Sequence, residues 1–83
     1  MTAEGLDGNA AAGILFAAYG REMTAEIGSC ASCGNTGPLA EALAFLDAPG
    51  AVLRCRRCES VLMVLVDRGE AAFSYASGIH LAG

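Results

Sequence analysis

At 83 residues the chain is long enough for one domain and near the lower limit for a self-sustaining core, because a domain this small buries only about 60% of its unfolded surface. Its composition is 54% hydrophobic, much of that alanine, and its formal charge is −4, with five arginines and no lysine. That balance argues against a general nucleic-acid binder, which needs a basic field. The stretch Ala10 to Tyr19 is short, broken by Gly13 and preceded by Glu4 and Asp7, so it reads as neither a secretory leader nor a membrane span.

In chain order, Asp7 is a helix N-cap and Gly20 a left-handed C-cap, which predicts a short N-terminal helix over residues 7–20. Leu6, Ala10, Ile14 and Phe16 or Ala17 would form its apolar stripe, and Gly8 and Gly13 weaken it by about 1 kcal/mol each. Such a helix is marginal alone and must dock on something. Met23-Thr24-Ala25-Glu26-Ile27 alternates apolar and polar residues and predicts a strand. Pro38 to Leu46 suits helix or strand, but Asp47-Ala48-Pro49-Gly50 is a turn and Ala51 to Arg54 must lead the chain back. A hairpin does this, so strand is the reading. Ser60 to Val66 is the clearest strand, apolar on both faces and so expected to be covered on both. Asp67 to Glu70 turns into Ala71 to Ala76, with Phe73 and Tyr75 on one face, and Gly78 to Leu81 reads as a tail or last short strand.

The chemistry lies in four cysteines. Cys30 and Cys33, then Cys55 and Cys58, form two C-x2-C pairs separated by 21 residues. Two thiolates on one tight turn can point at a single cation, and a second turn completes a tetrahedral S4 site that suits Zn2+. Two disulfides, in one of three connectivities, or iron are the alternative uses. Structural zinc contributes about 10–16 kcal/mol of apparent binding energy in small modules, which rivals the stability of a whole domain. One zinc per chain is therefore expected to decide whether the C-terminal half folds.

Gly34, just after Cys33, permits the left-handed residue that closes such a turn, whereas Glu59 stands in the matching place after Cys58 and must tolerate strain or open the turn differently. Arg54, Arg56 and Arg57 read as charge compensation for a dianionic zinc–thiolate centre and as solubilising charge, with an anion or nucleic-acid contact at the turn tip as the sharper alternative. His80 has no serine or carboxylate constellation and reads as a tail residue. Phe16, Tyr19, Phe45, Phe73 and Tyr75 read as core, although an exposed subset could form a docking surface.

The two cysteine turns resemble a zinc ribbon over residues 27–76. The stretches Leu6-Asp7-Gly8-Asn9-Ala10, Glu22-Met23-Thr24, Cys30 to Gly34, Gly37-Pro38-Leu39-Ala40-Glu41, Ala48-Pro49-Gly50, Val52-Leu53-Arg54-Cys55 and Cys58 resemble more closely a small family of uncharacterised actinobacterial zinc-ribbon proteins, DUF6510. The resemblance implies an accessory role and carries no established activity.

The resulting expectation is a single domain over residues 1–83: a small, mainly β zinc ribbon of two antiparallel hairpins around a four-cysteine zinc site, with a short N-terminal α-helix. Its expected function is non-catalytic, with structural zinc in a cytoplasmic protein–protein interaction or accessory module that has a protein partner or forms a homodimer. No membrane and no small-molecule substrate are implied, and no acid, base or nucleophile is left for an enzyme. The rival readings are a nucleic-acid-binding transcription accessory ribbon and a rubredoxin-like iron electron carrier.

Overall fold

A computed structural model describes residues 6–47 and 49–82, so Ala48 of the expected turn lies outside the described residues. The chain runs through β1 (Leu6–Asp7), a 3-10 turn (Gly8–Ala11), α1 (Ala12–Tyr19), β2 (Ile27–Cys30), β3 (Thr36–Pro38), a second 3-10 turn (Leu39–Glu41), β4 (Leu43–Asp47), β5 (Gly50–Arg54), β6 (Val61–Asp67), β7 (Ala72–Tyr75) and β8 (Ile79–Leu81). The strands form two antiparallel sheets, one in the order β1-β4-β5-β6-β7 and the other β3-β2-β8. The fold is thus small and mostly β with one short N-terminal helix, and its cysteine turns follow β2 and β5.

Asp7 does cap the chain's first turn, its carboxylate accepting from the backbone N–H of Asn9 at 3.1 Å. That turn is 3-10, and the α-helix proper begins only at Ala12, ending at Gly20 with φ +75°. Leu15 is its buried residue, beside Ala11 of the 3-10 turn and supported by Ile14, Ala18 and Tyr19, one position round from the predicted stripe. Phe16 and Ala10 face water instead. Tyr19 reaches across to β7, where its hydroxyl lies 2.7 Å from Ser74 Oγ.

Two strand readings need correction. Met23 to Glu26 form a turn, closed by the Glu26 N–H donating to the Met23 carbonyl at 3.0 Å, and the strand starts only at Ile27. Met23 is buried as a plug rather than as one position of a strand face. The stretch from Pro38 to Leu46 divides between a 3-10 turn that buries Leu39 and strand β4. Pro38, Leu39, Ala40 and Glu41 favour the turn locally, and only the pairing with β5 makes the remainder extended. Beyond the expected ribbon end at Ala76, β8 returns to pair with β2.

The core is aliphatic and sulfurous. Leu15, Met23, Leu39, Leu53, Met63, Leu65 and Cys55 are its largest fully buried side chains. The aromatic residues expected there lie elsewhere: Tyr19 and Phe45 are half-buried, and Phe16, Phe73 and Tyr75 are exposed. Strand alternation explains much of this. Ala44, Ala51, Leu53, Met63, Leu65 and Ala72 point to the face that α1 covers. Phe45, Val52, Val64, Val66, Phe73 and Tyr75 point to the opposite face, where Phe73 and Tyr75 are exposed and the others half-buried. Within one chain, α1 therefore covers strand β6 on one side.

The register slips between Leu53 and Arg54, which face Met63 and Val61, and leaves Leu62 as a bulge. The bulge buries Leu62 next to Met63 and frees its carbonyl to accept from the Gly78 N–H at 3.0 Å. This contact ties the larger sheet to the chain entering β8.

Candidate metal centre

Each cysteine pair sits on a turn that follows a strand. In the first, the Cys30 N–H donates to the Asn35 carbonyl at 2.8 Å and the Gly34 N–H to the Cys30 carbonyl at 2.9 Å. In the second, the Cys55 N–H donates to Ser60 and the Glu59 N–H to Cys55, both at 2.8 Å. The two turns are therefore the same structure built twice. Gly34 closes one with φ +80°, and Glu59 closes the other with φ +65°, so Glu59 occupies the strained left-handed region rather than opening the turn. Arg54 holds it there, its Nη1 donating to the Glu59 carbonyl at 3.0 Å. Glu59→Gly is expected to stabilise the protein by about 0.5–1 kcal/mol, the left-handed cost less the entropy of a freer unfolded glycine. Urea titration of the metal-loaded protein checks this, and a loss of stability would show that the glutamate side chain contributes more than its backbone costs.

Folding brings the four sulfurs within 4.8 Å of one another. The close pairs cross between the turns, with Cys30 Sγ to Cys58 Sγ and Cys33 Sγ to Cys55 Sγ both 3.6 Å. That separation is well beyond a disulfide bond of about 2.05 Å. It is close to the edge of about 3.8 Å expected for a tetrahedron with metal–sulfur bonds of about 2.3 Å. All four predicted residues are united, and the donor set fits a soft or borderline metal ion.

Backbone N–H groups aim at the first sulfur of each turn. Ser32 N lies 3.4 Å from Cys30 Sγ, and Arg57 N and Cys58 N lie 3.3 and 3.5 Å from Cys55 Sγ. Cys30 and Cys55 are buried, and Cys33 and Cys58 lie at the surface. Ser60 adds a contact that the cysteine spacing alone did not reveal, its Oγ 3.3 Å from Cys58 Sγ. That hydroxyl, followed by the Ser60 backbone, holds the Cys58 thiol down at about 6. At Cys33 the Asn35 backbone favours the thiolate, but lost hydration and the neighbouring sulfurs outweigh it and push the thiol up to about 11. Burial opposes ionisation of Cys55, yet the N–H groups of Cys58 and Arg57 bring it below the usual thiol range. Both sulfurs of the second turn are thus prepared for negative charge, as metal ligands must be.

The arginines have specific duties around the second turn. Arg54 also stacks on Phe45, with its guanidinium 5.8 Å from the ring centroid. Arg56 Nε donates to the Glu41 carbonyl at 2.6 Å and so anchors the turn to the 3-10 segment before β4. Two of the three cations are committed to backbone carbonyls, which leaves little of a basic patch. His80 is exposed on β8 opposite Ser29 and outside the sulfur cluster. No helix among the described residues is long and apolar enough to cross a membrane. No curated protein and no solved structure matches the chain. Its sequence does match a family of unknown function, DUF6510, over residues 1–82, and the chain belongs to that family.

Proposed function

We propose that the chain is a non-catalytic interaction or accessory module held together by one structural zinc ion on Cys30, Cys33, Cys55 and Cys58. The observation that carries this reading is the convergence of four sulfurs from two matching turns, the first cysteine of each receiving backbone N–H groups. Zinc bound by four thiolates is closed to substrate, so it would supply folding energy and not Lewis-acid chemistry. Free thiols placed this way suit a reducing cytoplasmic compartment. The surface positions of Cys33 and Cys58 and the exposed Arg57 beside the centre favour this over a rubredoxin-like iron carrier, whose potential depends on shielding. The commitment of Arg54 and Arg56 favours it over a nucleic-acid-binding ribbon.

Elemental analysis of protein purified without added metal is expected to give one zinc per chain and four thiols that become titratable on denaturation in chelator. Two disulfides without metal would overturn the reading, and iron with visible colour would replace it with the electron-carrier one.

A further inference from the structure

We propose that the outer face of the five-stranded sheet is a twofold interface with a second copy of this chain. The proposal rests on the interaction role read above and gives that role its partner. Cross-strand register lays three rows over this face. In the middle row Phe45 faces Val52, Val52 faces Val64, and Val64 faces Tyr75, an unbroken apolar band over four strands. At one end Leu43 faces Arg54, and at the other Asp47 faces Gly50, Gly50 faces Val66, and Val66 faces Phe73. Phe73 and Tyr75 are 48% and 60% exposed. A contiguous apolar sheet face with exposed aromatics marks an association surface.

The charges select the occupant. Among the described residues Arg54 is the one cation on these rows and lies at one end, with Nη1 on the Glu59 carbonyl and its other guanidinium N–H groups unengaged by the described residues, and Asp47 lies at the other on the neighbouring strand. Asp7, at the sheet margin, is turned to the N–H of Asn9. A uniformly basic or acidic partner would match one end and be repelled by the other. A twofold axis along the middle row exchanges the ends. Arg54 then comes over Gly50 of the partner subunit, beside the partner's Asp47. Sheets packed face to face tolerate a crossing of about 30°, which brings neighbouring strands within reach. Four strands about 4.8 Å apart and about five residues long give a footprint of roughly 300 Å² per copy. That is below the size of stable interfaces, so the dimer is a weak one that forms and dissociates with concentration.

Sedimentation equilibrium of the metal-loaded chain from about 10 μM to about 1 mM spans the range such an interface populates. A dimer is expected at the upper end. Because the axis sets each middle-row residue against its own copy, Tyr75→Glu and Tyr75→Lys are each expected to weaken association at least tenfold. Mixing the two in equal amounts is expected to restore a heterodimer. Val52→Glu and Val52→Lys are expected to behave alike at the centre of the row. Zinc content and the thermal transition of each variant report separately on the metal centre and the fold. A wild-type monomer throughout the range overturns the proposal. So does a dimer that survives both Tyr75→Glu and Val52→Glu, which would assign association to the free edge of β7 or to the exposed side of α1.

Discussion

Stripping the metal with a strong chelator, or replacing Cys58 with serine, is expected to abolish the cooperative folding of the region around the four sulfurs. With zinc bound as proposed, the ion joins the end of β2 in the smaller sheet to the end of β5 in the larger one. The smaller sheet has strands of four, three and three residues, too little to stand alone. Its apolar anchors are few, with Leu39 and Ile79 the main buried side chains beside it. The larger sheet has its own layer in Leu15, Leu53, Met63 and Leu65 and should resist longer. An apparent binding energy of about 10–16 kcal/mol exceeds what the smaller sheet can supply from burial. The amides of Cys30, Ala31, Gly34 and Cys55 should therefore lose hydrogen-exchange protection together on chelation. Acid should act in the same direction, because protons compete with metal for sulfur and Cys33, held at about 11, must give up its proton to bind. An apo protein whose thermal midpoint stays within about 5 °C of the loaded form, a shift worth roughly 1 kcal/mol here, would sink this account.

The four-sulfur cluster was the most legible part of the sequence because its information is local. A C-x2-C turn needs only its own backbone to aim two sulfurs, and Gly34 announced the left-handed residue that closes it. Glu59, in the matching place, announced strain or an opened turn without deciding between them, and the Arg54 contact to its carbonyl, from five residues earlier, accompanies the strained outcome. Strands β5, β6 and β7 were readable from apolar runs bounded by turns. Met23 to Ile27 misled because alternation over five residues is satisfied as well by a turn with one plugging side chain. The aromatic residues misled for a different reason. In a small sheet with one helix, only one face has a cover, and Leu53 and Met63 fill it where Phe45 and Tyr75 cannot. Sequence shows that a strand has two apolar faces, and the topology decides which of them is dry.

Gly78→Ala is expected to cost about 3 kcal/mol, a large loss for the removal of no contact at all. A methyl group at this position would lie 1.9 Å from the Val61 carbonyl oxygen and 3.0 Å from its carbon, backbone atoms that no rotamer change can move aside. The approach is close because the chain entering β8 lies against the bulge at Leu62, where the Gly78 N–H donates to the Leu62 carbonyl at 3.0 Å. The Gly78 carbonyl in turn accepts from Ala31 inside the first cysteine turn at 2.9 Å. Gly78 thus lies in a path from the larger sheet to the metal centre, and displacing it disturbs both ends. Overpacking of a rigid site costs about 1–3 kcal/mol, and the strained hydrogen bond adds about 1. In a domain of this size that total lowers the thermal midpoint by roughly 12–24 °C. Gly13→Ala is the matched comparison, because a methyl there meets nothing within 4 Å and the position is an exposed turn of α1. It is expected to gain about 1 kcal/mol from helix propensity. Thermal melts of both metal-loaded variants decide the matter. Equal shifts of the same sign would mean that the close approach at Val61 does not constrain the fold.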